Sequence, residues 1–305
     1  MVGTVRGLSI CTAALVCLAI LGQKARAVEI LSDFQASSRS SGYGKVSEVE
    51  FSTGLFTLNA KVLGYMQAGT AREFQVGEPV WVIGYKTEIY DSQGKPPTQN
   101  YVCHTFVSDQ PVMQGLKQKL DGLFSDGFTR EIRFPEGFGV VLTPDDDLHW
   151  LPLFNNRADS PAKVEMRVTL TLIREKDRKK PLRRLYATLR SVQVPHLFFV
   201  PPGRHEQGAT FDFPFDGRIH FMATHVHPHG TSMELYDVAR EKRVWKGNRM
   251  INPATGAAAM EVYSDSEGYS VQAGDSYRIT SVYENPTARK IDGMAGLFMF
   301  YSLEE

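Results

Sequence analysis

The sequence predicts an all-β protein built as two antiparallel β-sandwich, jelly-roll-like domains in tandem. Three observations predict it. Apolar residues alternate with polar ones in many short runs, clusters of Gly, Pro, Asn and Asp separate those runs, and helical periodicity is nearly absent. The clearest run is Val164, Met166, Val168, Leu170 and Leu172, interleaved with Glu165, Arg167, Thr169 and Thr171. Such a run buries one face of a strand and wets the other. Segments 79–90, 100–107, 185–194, 219–227 and 276–283 read as further strands. The turn clusters at Asp91–Pro97 and Asn252–Gly256 break the pattern where strands must reverse. One helix is expected at Pro111–Phe124, where Val112, Leu116, Leu120 and Leu123 share a face behind an opening proline. The basic stretch Arg174–Arg184 reads as a solvated hairpin, and Asp145–Asp147 as a turn, since its spacing lacks the alternation of a calcium loop.

The 305 residues divide into three parts. Residues 1–27 read as an export signal, with Arg6 in a basic opening, an apolar run of 14 residues from Leu8 to Leu21, and Ala25-Arg26-Ala27 as the cleavage pattern. That run is too short to span a bilayer comfortably, and no other run approaches membrane length. The expected product is exported, periplasmic or extracellular. Residues 28–195 and 196–305 form the two expected domains, divided near Val200-Pro201-Pro202-Gly203, which interrupts any sheet. The chain holds 34 basic and 34 acidic residues, and the signal takes three of the basic ones, leaving a net charge near −3. A nucleic-acid partner is therefore not expected, because phosphate neutralisation needs a basic excess. Cys11 and Cys17 lie in the signal, so Cys103 is left without a partner for an intramolecular disulfide.

Chemistry concentrates in Ile219–Gly230, which carries His220, His225, His227 and His229. Residues i and i+2 of a strand face the same side about 7 Å apart along the chain. His225 and His227 can therefore aim two imidazoles at one metal ion. Pro228 cannot continue a central ladder, which turns His229 away. His220, five residues before His225, faces the other side of a regular strand and reads as structural; His196 and His205 read as linker or surface residues. The chain has no Cys-x-x-Cys zinc pattern and no His-Glu-x-x-His protease pattern. Two imidazoles completed by a thioether favour copper. Spacing alone does not choose among Met222, Met233, Met294 and Met299. Cys103 and His104 are adjacent, so only a bent or bulged strand brings both to one ion; otherwise Cys103 is a small buried hydrophobe.

Four ordered blocks carry a resemblance: Val200–Gly203; Ile219–His227 with Gly230 and Tyr236; Gly274-Asp275 with Ile279–Asn285; and Asp292–Tyr301. Together they resemble the second domain of the copper type II, ascorbate-dependent monooxygenases, the peptidylglycine α-hydroxylating and dopamine β-monooxygenase family. The resemblance spans about 110 residues. It implies a copper ion held by His225, His227 and Met294 that activates dioxygen, ascorbate or another reductant as electron source, and hydroxylation of a C–H bond in an unidentified substrate. No further catalytic residue or cofactor-binding residue is implied. In the first domain, Phe134–Gly139 and Tyr101–Val107 resemble the family less closely. They imply a possible second metal site around His104 with Cys103. Its third ligand falls on Leu153, which cannot ligate, or, in a gapped alignment, on His149. The family's peptide-carboxylate clamp maps onto Ala223, Gly296 and Phe298, which cannot bind a carboxylate. A C-terminal glycine peptide is thus not expected as substrate, and Phe298 and Gly296 imply an apolar, roomier site. The alternative reading is a non-catalytic, mononuclear copper-binding protein for copper storage, sensing or transfer on the same scaffold.

Overall fold

A computed structural model describes residues 28–97, 101–109, 122–193, 197–251 and 258–304. Among them the secondary structure is all strand, in sheets of six, twelve and five members. The predicted strands form at Val80–Asp91, Val102–Ser108, Ala162–Arg178, Arg183–Ser191, Gly217–Val226 and Ser276–Asn285. The pairing is mainly antiparallel. Two pairs depart from the expectation: Glu29–Leu31 lies parallel to Arg72–Val76, and Phe138–Leu142 parallel to Arg183–Ser191.

The largest sheet centres on the last strand, Ile291–Leu303, which pairs on one side with Arg183–Ser191 and on the other with Gly217–Val226. A strand from the predicted first unit and a strand from the predicted second unit thus flank one strand. Leu197–Val200 pairs with the same strand further along, at Ile291–Met294. Pro201 and Pro202 end that ladder, and Gly203–Asp212 begins in the five-stranded sheet.

Both faces of Ile291–Leu303 are buried. Phe298 and Phe300 enter one apolar core with Phe221, Ala223, Leu185 and Phe124. Leu297, Met299 and Tyr301 enter a second core with Met222, Val226, Leu235 and Tyr277. Period-two alternation in one strand therefore feeds two cores. A bulge at His220 resets the phase in the neighbouring strand, since Ile219 pairs with Tyr301 and Phe221 with Phe300. Ile219 goes to the second core and Phe221 to the first. The regular-strand reading that sends His220 to the opposite face fails at this bulge. His220 nevertheless has a structural role: its ring nitrogens lie 3.0 Å from the Asp265 carbonyl and 2.9 Å from Ser302 Oγ.

Two further expectations change. The expected helix at 111–124 ends in a strand: Gly122–Asp126 pairs with Val102–Ser108, with Leu123 opposite Val107 and Phe124 opposite Phe106. Ladder bonds and burial of both side chains outweigh the helical spacing there. Residues 111–121 lie outside the described residues, as do His196 and Asn252–Gly256. The basic stretch is solvated, with Arg174–Asp177 and Arg178–Glu175 ion pairs, but it does not close a hairpin. The strands it joins, Ala162–Arg178 and Arg183–Ser191, are separated in the sheet by Val80–Asp91 and Phe138–Leu142. Asp145–Asp147 is a turn, with the Thr143 amide donating to Asp146 Oδ2 at 2.6 Å. No helix among the described residues is long and apolar enough to cross a membrane.

The doubly buried strand makes a prediction. Phe298 stacks on Phe124 with ring centroids 5.2 Å apart and is 2% exposed. Phe298→Ala is expected to lower unfolding free energy by about 3–5 kcal/mol, read from urea midpoints at constant slope.

Candidate metal centre

The site forms where the first core meets the strand Gly217–Val226. Ala223 enters that core, so alternation turns His225 the same way and His227 follows past the strand end. Pro228 then stops the ladder, and His229 adopts a left-handed φ of 73°. The turn closes with the Gly230 amide on the His227 carbonyl at 3.0 Å. A Cβ on Gly230 would lie 2.7 Å from Val226 Cβ, so this turn requires glycine.

The facing wall is the strand Val102–Ser108, buried along its whole length. Leu153 pairs with His104 while Phe154 pairs with Val102, which leaves Cys103 as the extra residue of a bulge. A bulge re-aims a side chain, and here it lets two adjacent residues turn to one side. Cys103 Sγ lies 3.2 Å from His104 Nδ1 and 4.0 Å from Nε2 of both His225 and His227. Potential ligand atoms of Cys103, His225 and His227 all lie within 4.8 Å of one another. It is the one such grouping of three or more His, Cys, Asp or Glu among the described residues. The His104 ring packs on Phe106 and, edge to face, on His225, with centroids 4.8 and 4.9 Å apart.

Each paired histidine is oriented from behind by a carboxylate. His225 Nδ1 is 3.1 Å from Asp126 Oδ2. Asp126 stands opposite His104 in the neighbouring strand, and its Oδ1 accepts the Phe128 and Thr129 amides at 2.9 and 2.5 Å. His227 Nδ1 is 2.7 Å from Asp292 Oδ2. Arg157 grips Asp292 with both terminal nitrogens, at 3.3 and 3.0 Å. The ionised Asp292 only accepts, so His227 Nδ1–H donates and its Nε2 lone pair is left for the centre. The His227 hydrogen bond and Arg157 hold Asp292 well below the usual carboxylate range. Burial pushes Asp126 up to about 7, opposed by the two amides.

The donor set fits a metal ion. Metal–nitrogen distances of about 2.0–2.1 Å and a metal–sulfur distance of about 2.3 Å place neighbouring donors roughly 3.5–3.8 Å apart. The 4.0 Å separations approach that spacing. Burial pushes the Cys103 thiol up to about 12, so without a cation the sulfur keeps its proton, and metal uptake releases it.

Met294 lies across from His227, whose amide donates to the Met294 carbonyl at 3.0 Å. The Tyr283 hydroxyl also donates to that carbonyl, at 2.5 Å, and accepts the His227 amide at 3.2 Å. Alternation puts the half-buried Met294 side chain on the same face as Asp292 and Phe298. Met222, Met233 and Met299 are fully buried in the second core instead.

His104 and Cys103 therefore stand in the same cluster as the His225–His227 pair. His149 does not join them. It pairs with Ser108, four positions from Leu153 and so about 13 Å along the strand. Its Nδ1 lies 3.8 Å from Glu73, beside a small surface cavity. The positions expected to leave a roomier site are filled: Phe298 is a core residue, and Gly296 lies against Leu189. The apolar character holds; the space does not. Sequence reasoning passed over Asp126 and Arg157. Neither carries a local signal: Asp126 meets an imidazole 99 positions away, and Arg157 acts through Asp292, 135 positions away.

Scanning for protein-family models and searching curated proteins both give no match. Among solved structures, the chain is similar to cowpea mosaic virus naturally occurring empty particles at 9% identity and a TM-score of 0.40, covering 92% of this chain and 95% of that one. It is also similar to Sulfolobus turreted icosahedral virus, at 9% identity and a TM-score of 0.23 over 76% and 55% of the two chains. A third similarity is to a Penaeus vannamei nodavirus particle, at 9% identity and 0.24 over 74% and 83%. At these scores none bears on the centre or its chemistry.

The carboxylates behind the histidines generate a prediction. Asp292→Asn and Arg157→Ala are each expected to weaken metal binding about 10–100-fold while leaving the fold intact, measured by chelator competition alongside circular dichroism.

Proposed function

We propose that this chain is an exported protein that binds a single copper ion through Cys103, His225 and His227. One observation carries the reading: three potential donors from two separate strands converge within 4.8 Å, with both imidazoles set by carboxylates. Copper is favoured over other divalent ions because thiol and imidazole donors bind it most strongly in the first-row order, and because a thioether residue, Met294, stands opposite His227 across the ladder. Bound copper would supply redox chemistry at this point. The chain's own residues hold the imidazole tautomers, release the Cys103 proton and keep bulk water out of the first core. Storage, sensing and transfer of copper all fit such a centre.

A second reading is the ascorbate-dependent monooxygenase, favoured by the resemblance of residues 196–305 and by Met294 standing across from His227. It needs a second electron-delivering copper. The residues implied for that site divide between the cluster, which holds Cys103 and His104, and the surface, where His149 lies. The mononuclear reading is therefore preferred.

Purified protein loaded with copper and desalted should retain one copper per chain by elemental mass spectrometry, and His225→Ala should lose it. Two coppers, with oxygen consumption in ascorbate above the free-copper background, would return the monooxygenase reading to first place. Copper at 100 times Kd should also raise unfolding free energy by about 2.7 kcal/mol. Zero copper and unchanged melting would remove both readings.

A further inference from the structure

Resting on the copper-binding reading, we infer that the centre is a one-electron redox site in which Cys103 sulfur is a copper ligand and Met294 is the thioether placed to tune it. His225 and His227 supply two imidazoles, the bulge in Val102–Ser108 brings the Cys103 thiol to them, and Met294 stands opposite His227 across the ladder. Two imidazoles, one thiolate and a weak thioether make the donor set of electron-transfer copper sites, whose potential depends on the thioether and on the surroundings of the sulfur.

Three features favour electron exchange over oxygen activation. The first is enclosure. Cys103, His225 and His227 are 2%, 5% and 2% exposed, and the clamp positions Ala223 and Phe298 are packed into the core. Oxygen activation needs an open coordination position and room for a substrate, whereas an electron needs neither. The second is rigidity. The Cys103 carbonyl accepts the Gly127 amide at 3.3 Å, and each paired histidine is braced by its own carboxylate. Donors fixed in this way move little when the charge of the ion changes. The third is the setting of the sulfur. Cys103 Sγ lies against His104 Nδ1 at 3.2 Å and is hydrogen-bonded by the Asn155 side chain, and beyond His104 stands the aromatic wall of Phe106, Phe124 and Phe298. A hydrogen bond to sulfur and an apolar surround are both means by which a protein sets a copper potential.

One electron passes from a donor such as ascorbate, which leaves as its one-electron-oxidised radical, and Cu(II) becomes Cu(I). Ferricyanide takes that electron back and becomes ferrocyanide. No bond to carbon forms or breaks.

The test uses the full chain loaded with one equivalent of Cu(II). The expected result is an intense sulfur-to-copper charge-transfer band in the visible. Ascorbate should bleach it, ferricyanide should restore it, and Cys103→Ser should lose it. Copper-edge X-ray absorption of the unmodified protein should show a short sulfur scatterer, which decides the point even if the serine variant does not fold. Met294→Leu should keep the band and shift the potential; an unchanged potential would overturn the role given to Met294. One copper per chain without the band and without the short sulfur overturns the redox inference and Cys103 as a ligand, and leaves copper bound by the histidines alone. A band that ascorbate cannot bleach also overturns it. Copper that does not bind stoichiometrically overturns this inference and the reading beneath it together.

Discussion

The strand Ile291–Leu303 is buried on both faces, and the other features of the molecule are arranged around that constraint. A strand with one wet face needs one core; a strand with two dry faces needs two. Phe298 and Phe300 serve the first core, and Leu297, Met299 and Tyr301 the second. Its neighbours must then come from both halves of the chain, which is why Arg183–Ser191 and Gly217–Val226 flank it. The face that carries Phe298 is the face that carries Asp292 and, across the ladder, His225. The packing that joins the cores also presents the histidines to the strand Val102–Ser108.

Two bulges correct the phase of this arrangement. At His220 the extra residue lets Ile219 and Phe221 enter different cores. At Cys103 the extra residue turns a thiol toward imidazoles more than a hundred positions away. Each adds a single unpaired position to an otherwise regular ladder, and each occurs where a polar side chain must be aimed within an apolar layer. The charged groups follow the same economy. Asp126 and Asp292 are spent on imidazole nitrogens, backbone amides and Arg157, so burial leaves neither carboxylate without partners.

Much of the fold was legible locally. Alternation at Val164–Leu172 marks a strand whatever it pairs with, and Pro201-Pro202 ends a ladder in any context. The His225-Val226-His227 spacing announced a shared face. The helix expected at Pro111–Phe124 shows the limit of local reading. The spacing of Leu120 and Leu123 suits a helix, yet Leu123 and Phe124 are paired with Val107 and Phe106. The partner strand decides between the two, and its location is not written in the segment. His149 and Cys103 make the same point at the site. An alignment cannot tell which of them meets His104; a strand register can.

What the sequence determined by itself is the inventory: strands by period two, their ends by proline and glycine, two imidazoles on one face, and a single thiol outside residues 1–27. These follow from covalent geometry and side-chain chemistry within a few residues. What the tertiary structure alone decided is which distant residues meet. It set Cys103 against His225 and His227, put Asp126 and Asp292 behind them, filled the space beside Ala223 with aromatic rings, and carried His149 to the surface. Those outcomes depend on strand order and on two register shifts. Both are fixed by how the two cores close around one strand, a property of the whole chain rather than of any segment.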